Sequence, residues 1–495
     1  MQKSLKKNAF FNSIKSIMNI IFPIISFPYA SRILLPDGIG AVNFANSIIE
    51  YFLMIAELGI GTYAAREAAK IRDNRQELTR FTREILFFNF LTTIIAYLML
   101  IPCLVFIPKF NAYRLLLIIC STKVLFSTLG INWFYTAQEE YGYITLRHSL
   151  FQLISLILLF TLVKTKDDYV IYACIGVFSN VGANIFNFLY AKKYVNIFEK
   201  TEIYLARHIK PILTFFSVSA AGKVNSILDT IMLGFLAGDL SVGLYSAATK
   251  LTKMVRELIT SIISTFMPRT SYLLEQKKEK EYKIIVDKVM GVVFFLSLPA
   301  CMGLFFLAKP LTIIFAGEQY LDSVPTMQLL TFCIIFSSFN SYINNLILTP
   351  NRLEKFMLYA QLVALSINAS LNWFFITQGL KYGVRWGVWG AGVATLMVDI
   401  TIPLVKLLVG WKFIKSKKNL FDLLKSLLGT LLMLVLLYFC CSHIKSNWIK
   451  IGFSMIFGSA IYAISEILLH HPIAKLFTDI LVGKLNNFRG KNNEH

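Results

Sequence analysis

Charge is scarce in this 495-residue chain: Asp, Glu, Lys and Arg together make up 16% of it. Coiled coils and disordered segments both need far more, so neither class fits. Acid is the minority, 28 carboxylates against 49 Lys and Arg, for a net charge of +21. The basic residues alternate with apolar runs and form no basic domain, so no nucleic-acid partner is expected. Cysteine is sparse as well. Cys103, Cys120, Cys174, Cys301, Cys333, Cys440 and Cys441 fall within or at the ends of apolar runs without CxxC spacing, which indicates neither a disulfide framework nor a zinc site. A GxxxxGK[ST] phosphate loop, an HExxH helix and a GxSxG elbow are all missing. Gly387, Gly390 and Gly392 have no strand before them, so they suit close helix packing rather than dinucleotide binding. No connection is longer than about 20 residues, which leaves no room for a soluble catalytic domain. The chain is not expected to be an enzyme, and no cofactor is expected beyond a coupling ion.

What is present is hydrocarbon: 56% of the residues are hydrophobic and the mean hydropathy is +0.62. That is too much for a soluble protein and enough for about 14 bilayer spans of roughly 20 residues. Apolar runs of that kind fall at 9–34, 39–62, 84–107, 114–135, 148–164, 169–191, 212–236, 244–268, 285–308, 322–349, 353–377, 385–410, 420–442 and 448–470. The first follows Lys3, Lys6 and Lys7 but is too long for a signal peptide, contains Pro23 and Pro28 and lacks a small-residue cleavage site, so it reads as an uncleaved span. The fold expected is an all-α polytopic membrane protein. Counting basic residues in alternate loops puts roughly 30 on one side and about 9 on the other, which places both termini in the cytoplasm.

Two stretches resemble each other. Pro36 to Asn46 reads PDGIGAVNFAN and Gly238 to Thr249 reads GDLSVGLYSAAT, each a glycine-rich outer hairpin that opens a helix bearing small polar residues. They lie six spans apart, an even number, so the copies share an orientation and form a parallel repeat about an axis along the membrane normal. The domains expected are an N-terminal lobe at 1–207, a C-terminal lobe at 208–411, and a final helix pair with its tail at 412–495.

Ionisable side chains deep in a bilayer cost several kcal/mol unless they face water or a partner, so they mark candidate functional positions. Lys250, Lys253 and Arg256 lie in the middle of the eighth span, too deep to snorkel together, and Lys223 is central in the seventh with Asp229 nearer its outer half. Two readings stand at this point: a wet basic cavity that binds an anion, or structural pairing with Asp229 or Glu257. Glu50 and Glu57, seven residues apart, share a helix face suited to ion coupling or to pairing with Arg32. Lys15, Lys406 and Glu466 receive no role.

The run Pro28 to Ala45 (PYASRILLPDGIGAVNFA) with Glu57 to Glu67 (ELGIGTYAARE) resembles the start of bacterial polysaccharide repeat-unit flippases, the oligosaccharide branch of the MATE-like exporter superfamily. The resemblance implies two lobes around a cavity that opens alternately to either side of the bacterial cytoplasmic membrane. The cargo it implies is a polyprenyl-pyrophosphate-linked oligosaccharide for capsule or O-antigen, with membrane lipid, a polysaccharide polymerase and chain-length machinery as partners. Ser31-Arg32-Ile33-Leu34 is similar to a Ser-Arg-Val-Leu segment of the related lipid II flippases, which makes Arg32 the leading headgroup contact, with Lys223, Lys250, Lys253 and Arg256 joining it. The sodium site of that branch corresponds to Asp229, Asn368, Asn372 and Thr395, with Asn372 where the relatives carry an acid. Sodium and protons both stay open as coupling ions. The competing readings are a multidrug or ion antiporter of the same superfamily, and a membrane polymerase or glycosyltransferase.

Overall fold

The computed structural model describes residues 5–197, 199, 202–414 and 417–475. Among them no strand occurs, and the chain is a succession of helices. The first half contains α1 (Leu5–Glu57), α2 (Ile60–Lys70), α3 (Arg75–Phe106), α4 (Arg114–Gly130), α5 (Asn132–Ala137), α6 (Tyr141–Leu162), α7 (Tyr169–Val181) and α8 (Asn184–Ala191). The second contains α9 (Ala206–Ala237), α10 (Asp239–Ser264), α11 (Met267–Glu275), α12 (Glu279–Phe315), α13 (Val324–Thr331), α14 (Cys333–Tyr342), α15 (Glu354–Leu380), α16 (Val384–Ile414), α17 (Lys417–Cys441) and α18 (Asn447–Leu468). A helix satisfies every backbone group within itself, which is the condition hydrocarbon imposes.

Among the described residues, eleven helical stretches are long and apolar enough to cross a bilayer, or twelve with Ala206–Ser217 and Ala220–Ala237 counted as one bent span. One of the eleven, Phe10–Lys70, has 61 residues and holds two of the expected crossings. The eighth expected crossing, α10, is missing from the set because Lys250, Lys253, Arg256 and Glu257 interrupt its apolar run. With those allowances the helices match the expected fourteen. The shortest apolar run, 148–164, falls on the 22-residue α6, which ends at Leu162, two residues before the run does.

Breaks between helices have local causes. In α1 the backbone turns at Leu35, at φ 60° and ψ 175°, immediately before Pro36. Gly238 takes nearly the same conformation, φ 79° and ψ −174°, where α9 gives way to α10. The two hairpins recognised as repeats therefore turn through one backbone geometry, a region that is otherwise almost confined to glycine. Leu58 and Gly59, at φ 42° and 74°, separate α1 from α2. A Cβ on Gly59 would stand 2.9 Å from the Phe216 nitrogen, so glycine is required there twice over. At the start of α3 the Asn74 side chain accepts from the Glu77 N–H at 3.2 Å, an N-cap with an acid in the first turn.

The chain divides into two compact units. The first runs to Ser246 and adds Phe315–Gln319 and Leu380–Gly387; the second comprises Ala247–Ile314, Tyr320–Gly379 and the residues from Val388 onward. In the first unit α1 packs along α3, α4, α6 and α9, and α2 lies against α5 and α9. Its core joins Tyr63, Phe81, Trp133, Phe134 and Tyr135 with Ile60 and Ile85. In the second, Ile334, Tyr342 and Ile343 pack with Val286, Val289 and Val293, and the Ile343–Leu348 segment is a turn of π-helix. Broad apolar exposure, for example at Leu98, Phe106, Leu408, Phe439 and Ile456, is what a lipid-facing surface requires.

Candidate functional site

The break between α1 and α2 leaves a cavity of about 300 Å³ inside the first unit. Met54, Glu57 and Gly59 reach it from the break, Gly61 and Thr62 from α2, Asn89 from α3, Ser127 from α4, Asn132 and Trp133 from α5, and Phe216 and Lys223 from α9. The lining thus mixes amides, hydroxyls, a carboxylate and aromatic rings. Asn89 is 9% exposed, and its Oδ1 is buried without a hydrogen-bond partner. The Asn132 side-chain Oδ1 accepts from Arg147 Nη2 at 3.2 Å and Asn187 Nδ2 at 3.1 Å. No atom comes within 4 Å of the position a Cβ on Gly61 would take, so the backbone stands bare to the opening there.

Beside this cavity lies a charged cluster. Lys223 Nζ is 3.0 Å from Glu50 Oε2 and 4.0 Å from Glu57 Oε2, with all three side chains about a third to half exposed. The seven-residue spacing of the two acids does put them on one face of α1, and that face meets Lys223 on α9. One cation between two carboxylates leaves a negative balance.

The remaining cations have varied surroundings. Arg32 is exposed on α1 and donates from Nη1 to the Pro28 carbonyl, 2.6 Å away and one turn back. Arg256 pairs with Asp399 of α16 at 3.1 Å, so its counter-ion is neither Asp229 nor Glu257. Lys250 is half-buried and Lys253 exposed on α10. Lys406 is 1% exposed and donates to Asn340 Oδ1 at 2.7 Å and Asn344 Oδ1 at 2.9 Å, at the approach to the π-helical turn.

The residues of the sodium-site correspondence divide between the units. Asp229, in the first, is 5% exposed and accepts from the Tyr245 hydroxyl at 3.0 Å. Asn368 and Asn372, in the second, are buried on one face of α15, and the Asn372 amide donates to the Asn368 side-chain and backbone oxygens. Thr395 donates to the Ala391 carbonyl within α16 at 2.9 Å.

A second arrangement joins the repeated hairpins. A Cβ on Gly40 would stand 1.8 Å from the Asp239 carbonyl oxygen, and one on Gly243 would stand 2.0 Å from the Pro36 carbonyl oxygen. Asn43 donates to Ser246 Oγ at 2.9 Å. Counting five residues on from Leu35 and from Gly238 makes Gly40 and Gly243 equivalent, and eight residues on does the same for Asn43 and Ser246. Each repeat therefore touches its counterpart through matching residues, and only glycine permits the approach. Nearby, Tyr113 donates to Asp239 at 2.6 Å, and burial raises the Asp239 carboxyl above the ordinary range.

Sequence inspection missed Asp399, Asn89, Trp133 and the Asn340 and Asn344 pair. Asp399 alone had a signal, as a lone acid deep in an apolar run. The others are ordinary residues whose roles come from what faces them.

All-helical architecture and many apolar spans define a multi-pass membrane protein. Its fold is similar to that of the lipid II flippase MurJ, a structure solved in an inward closed conformation, with TM-score 0.73 at 19% identity over 94% of this chain and 100% of that one. An inward-facing MATE-family multidrug resistance transporter matches with TM-score 0.62 at 13% identity over 81% and 96%. The chain belongs to the polysaccharide biosynthesis protein family, whose model matches residues 5–274; the MatE model matches residues 222–374. Relatives include candidate O-antigen transporters of Shigella dysenteriae, 25% identical over 81% of this chain and 99% of the relative, and of Escherichia coli (strain K12), 24% identical over 61% and 71%. The capsular polysaccharide biosynthesis protein CapF of Staphylococcus aureus is 20% identical over 67% and 82%.

Proposed function

We propose that this protein moves polyprenyl-pyrophosphate-linked oligosaccharide repeat units from the inner to the outer leaflet of the bacterial cytoplasmic membrane, for O-antigen or capsule synthesis. Its family membership, with relatives named for O-antigen transport and capsular polysaccharide synthesis, carries the reading. The physical task is to carry phosphates and sugars, neither soluble in hydrocarbon, across about 30 Å while the polyprenyl tail stays in lipid. Charge-assisted contacts from Arg32, Lys250 and Lys253 take the place of water around the diphosphate. Arg256, now paired with Asp399, exchanges that carboxylate for phosphate, whereas Lys223 stays with Glu50 and Glu57. No bond is made or broken, and both termini face the cytoplasm.

Alternation of two lobes, the six-plus-six-plus-two helix division, and coupling to sodium through Asp229, Asn368, Asn372 and Thr395 or to protons through Glu50 and Glu57 belong to the same proposal. So do the polymerase and chain-length proteins as neighbours. The match of residues 222–374 to the MatE model keeps a drug or ion antiporter as the second reading.

Deleting the gene separates the two. Flippase loss leaves single lipid-linked units accumulating in the inner leaflet, inaccessible to an external glycosidase, and stops polymer output. Normal polymer output together with drug sensitivity in the deletion strain would instead establish the antiporter.

A further inference from the structure

The cavity at the α1–α2 break has a chemistry unlike that of a phosphate site. Its one lining cation, Lys223, is held between Glu50 and Glu57, so the local charge balance is negative and repels a diphosphate. The rest of the wall sets the neutral polar groups of Asn89, Ser127, Asn132 and Thr62 among the Trp133 and Phe216 rings and the aliphatic Met54, Ile60 and Ile131. Asn89 Oδ1 is a buried acceptor with no donor, which a native interior tolerates poorly unless something else supplies the hydrogen. Hydroxyl and N-acetyl N–H groups are such donors. Hydroxyls also accept from amides, and carboxylates such as Glu57 accept from hydroxyls. Aromatic walls with a few convergent polar groups are the usual make-up of small-molecule pockets. A volume of about 300 Å³ is at the lower end for such pockets and admits a sugar residue or two rather than a whole repeat unit.

We propose that this cavity is a saccharide subsite, which takes a terminal portion of the oligosaccharide by hydrogen bonds to Asn89 and Glu57 and contact with Trp133, while the diphosphate is held elsewhere. The inference rests on the flippase reading and adds a sugar-reading role for the first unit.

Gly61 offers a clean test, because it lines the cavity and a Cβ there would have no protein atom within 4 Å. Asn89→Leu is the second variant; it removes an acceptor that has no partner, so folding should be preserved. Binding is measured on protein in nanodiscs with two probes: the lipid-linked oligosaccharide accumulated by cells deleted for the gene, and polyprenyl pyrophosphate without sugar. The unaltered protein should bind the glycosylated probe at least about tenfold more tightly. Gly61→Leu and Asn89→Leu should both bring that probe down to the affinity of the sugar-free one, and leave the sugar-free affinity unchanged. Retention of the tenfold preference in both variants, an equal loss for both probes, or no preference in the unaltered protein overturns the subsite. Binding of neither probe by the unaltered protein overturns the flippase reading itself.

Discussion

Leu35 occupies backbone territory that costs a non-glycine residue about 1–3 kcal/mol, while its repeat counterpart is Gly238. Half-buried packing of the leucine offsets part of that strain. Truncation separates the two effects: Leu35→Ala loses the packing and keeps the strain, whereas Leu35→Gly loses both. Thermal unfolding in detergent should therefore find Leu35→Gly more stable than Leu35→Ala by about 1 kcal/mol, the reverse of the usual order for a helical segment. His471, just past α18, makes a different residue-scale prediction. Burial first, and then the Lys425 charge, push its imidazole down to about 4, from 6.5 ordinarily. The unfolded chain takes up a proton near pH 6.5 that the folded imidazole refuses, so the stabilising contribution is complete above that pH and is lost progressively towards pH 4. Phe295 stacks on His471 with ring centroids 5.4 Å apart, so His471→Phe keeps the packing. Its melting temperature should fall less than that of the unaltered protein between pH 7.5 and pH 5; equal falls would show that other groups carry the dependence.

Among the elements, the crossing of α1 and α10 depends on two glycines, because their backbones approach too closely for any Cβ. With cysteines at 43 and 246, positions now joined by a hydrogen bond, the otherwise unaltered protein should crosslink readily under mild oxidation. Adding Gly40→Val should cut the crosslinked fraction severalfold, since the branched side chain would have to displace the Asp239 carbonyl. An undiminished yield would mean that the two helices part without consequence. α10 shows what pattern alone can and cannot tell. Its cations at 250, 253 and 256 were evident from depth, but the Asp399 partner of Arg256 is 143 residues away and cannot be matched to it by spacing. Lys406 is similar: its two asparagine acceptors come from α14 and the π-helical turn, and no periodicity announces them.

For the whole molecule, the surplus of basic residues is both a topological and an energetic feature. On the proposed topology the loops rich in Lys and Arg face the cytoplasm, and a membrane potential negative inside would favour outward movement of a negative cargo by about 2.3 kcal/mol per charge per 100 mV. Collapsing the potential with an ionophore in vesicles should slow outward movement of the lipid-linked oligosaccharide. An unchanged rate would remove the potential from the mechanism and leave an ion gradient as the driving force.

The sequence by itself determined the solvent, the helical class, the count of crossings and the presence of a repeat, because all of these follow from local hydrophobicity and from turn chemistry that each segment carries alone. Much of the resemblance to flippases was equally local, in the runs from Pro28 to Ala45 and from Glu57 to Glu67. Which charges are compensated was decided only by tertiary structure. Lys223, open to an anion or to Asp229 or Glu257 by sequence, sits between Glu50 and Glu57; Gly40 and Gly243 read as parallel turns and touch; Asn89, Trp133 and Gly61, which no pattern marks, share a cavity. The reason is physical: a side chain's electrostatic and hydrogen-bonding state depends on atoms within a few ångströms, and folding brings those atoms from segments tens to hundreds of residues apart.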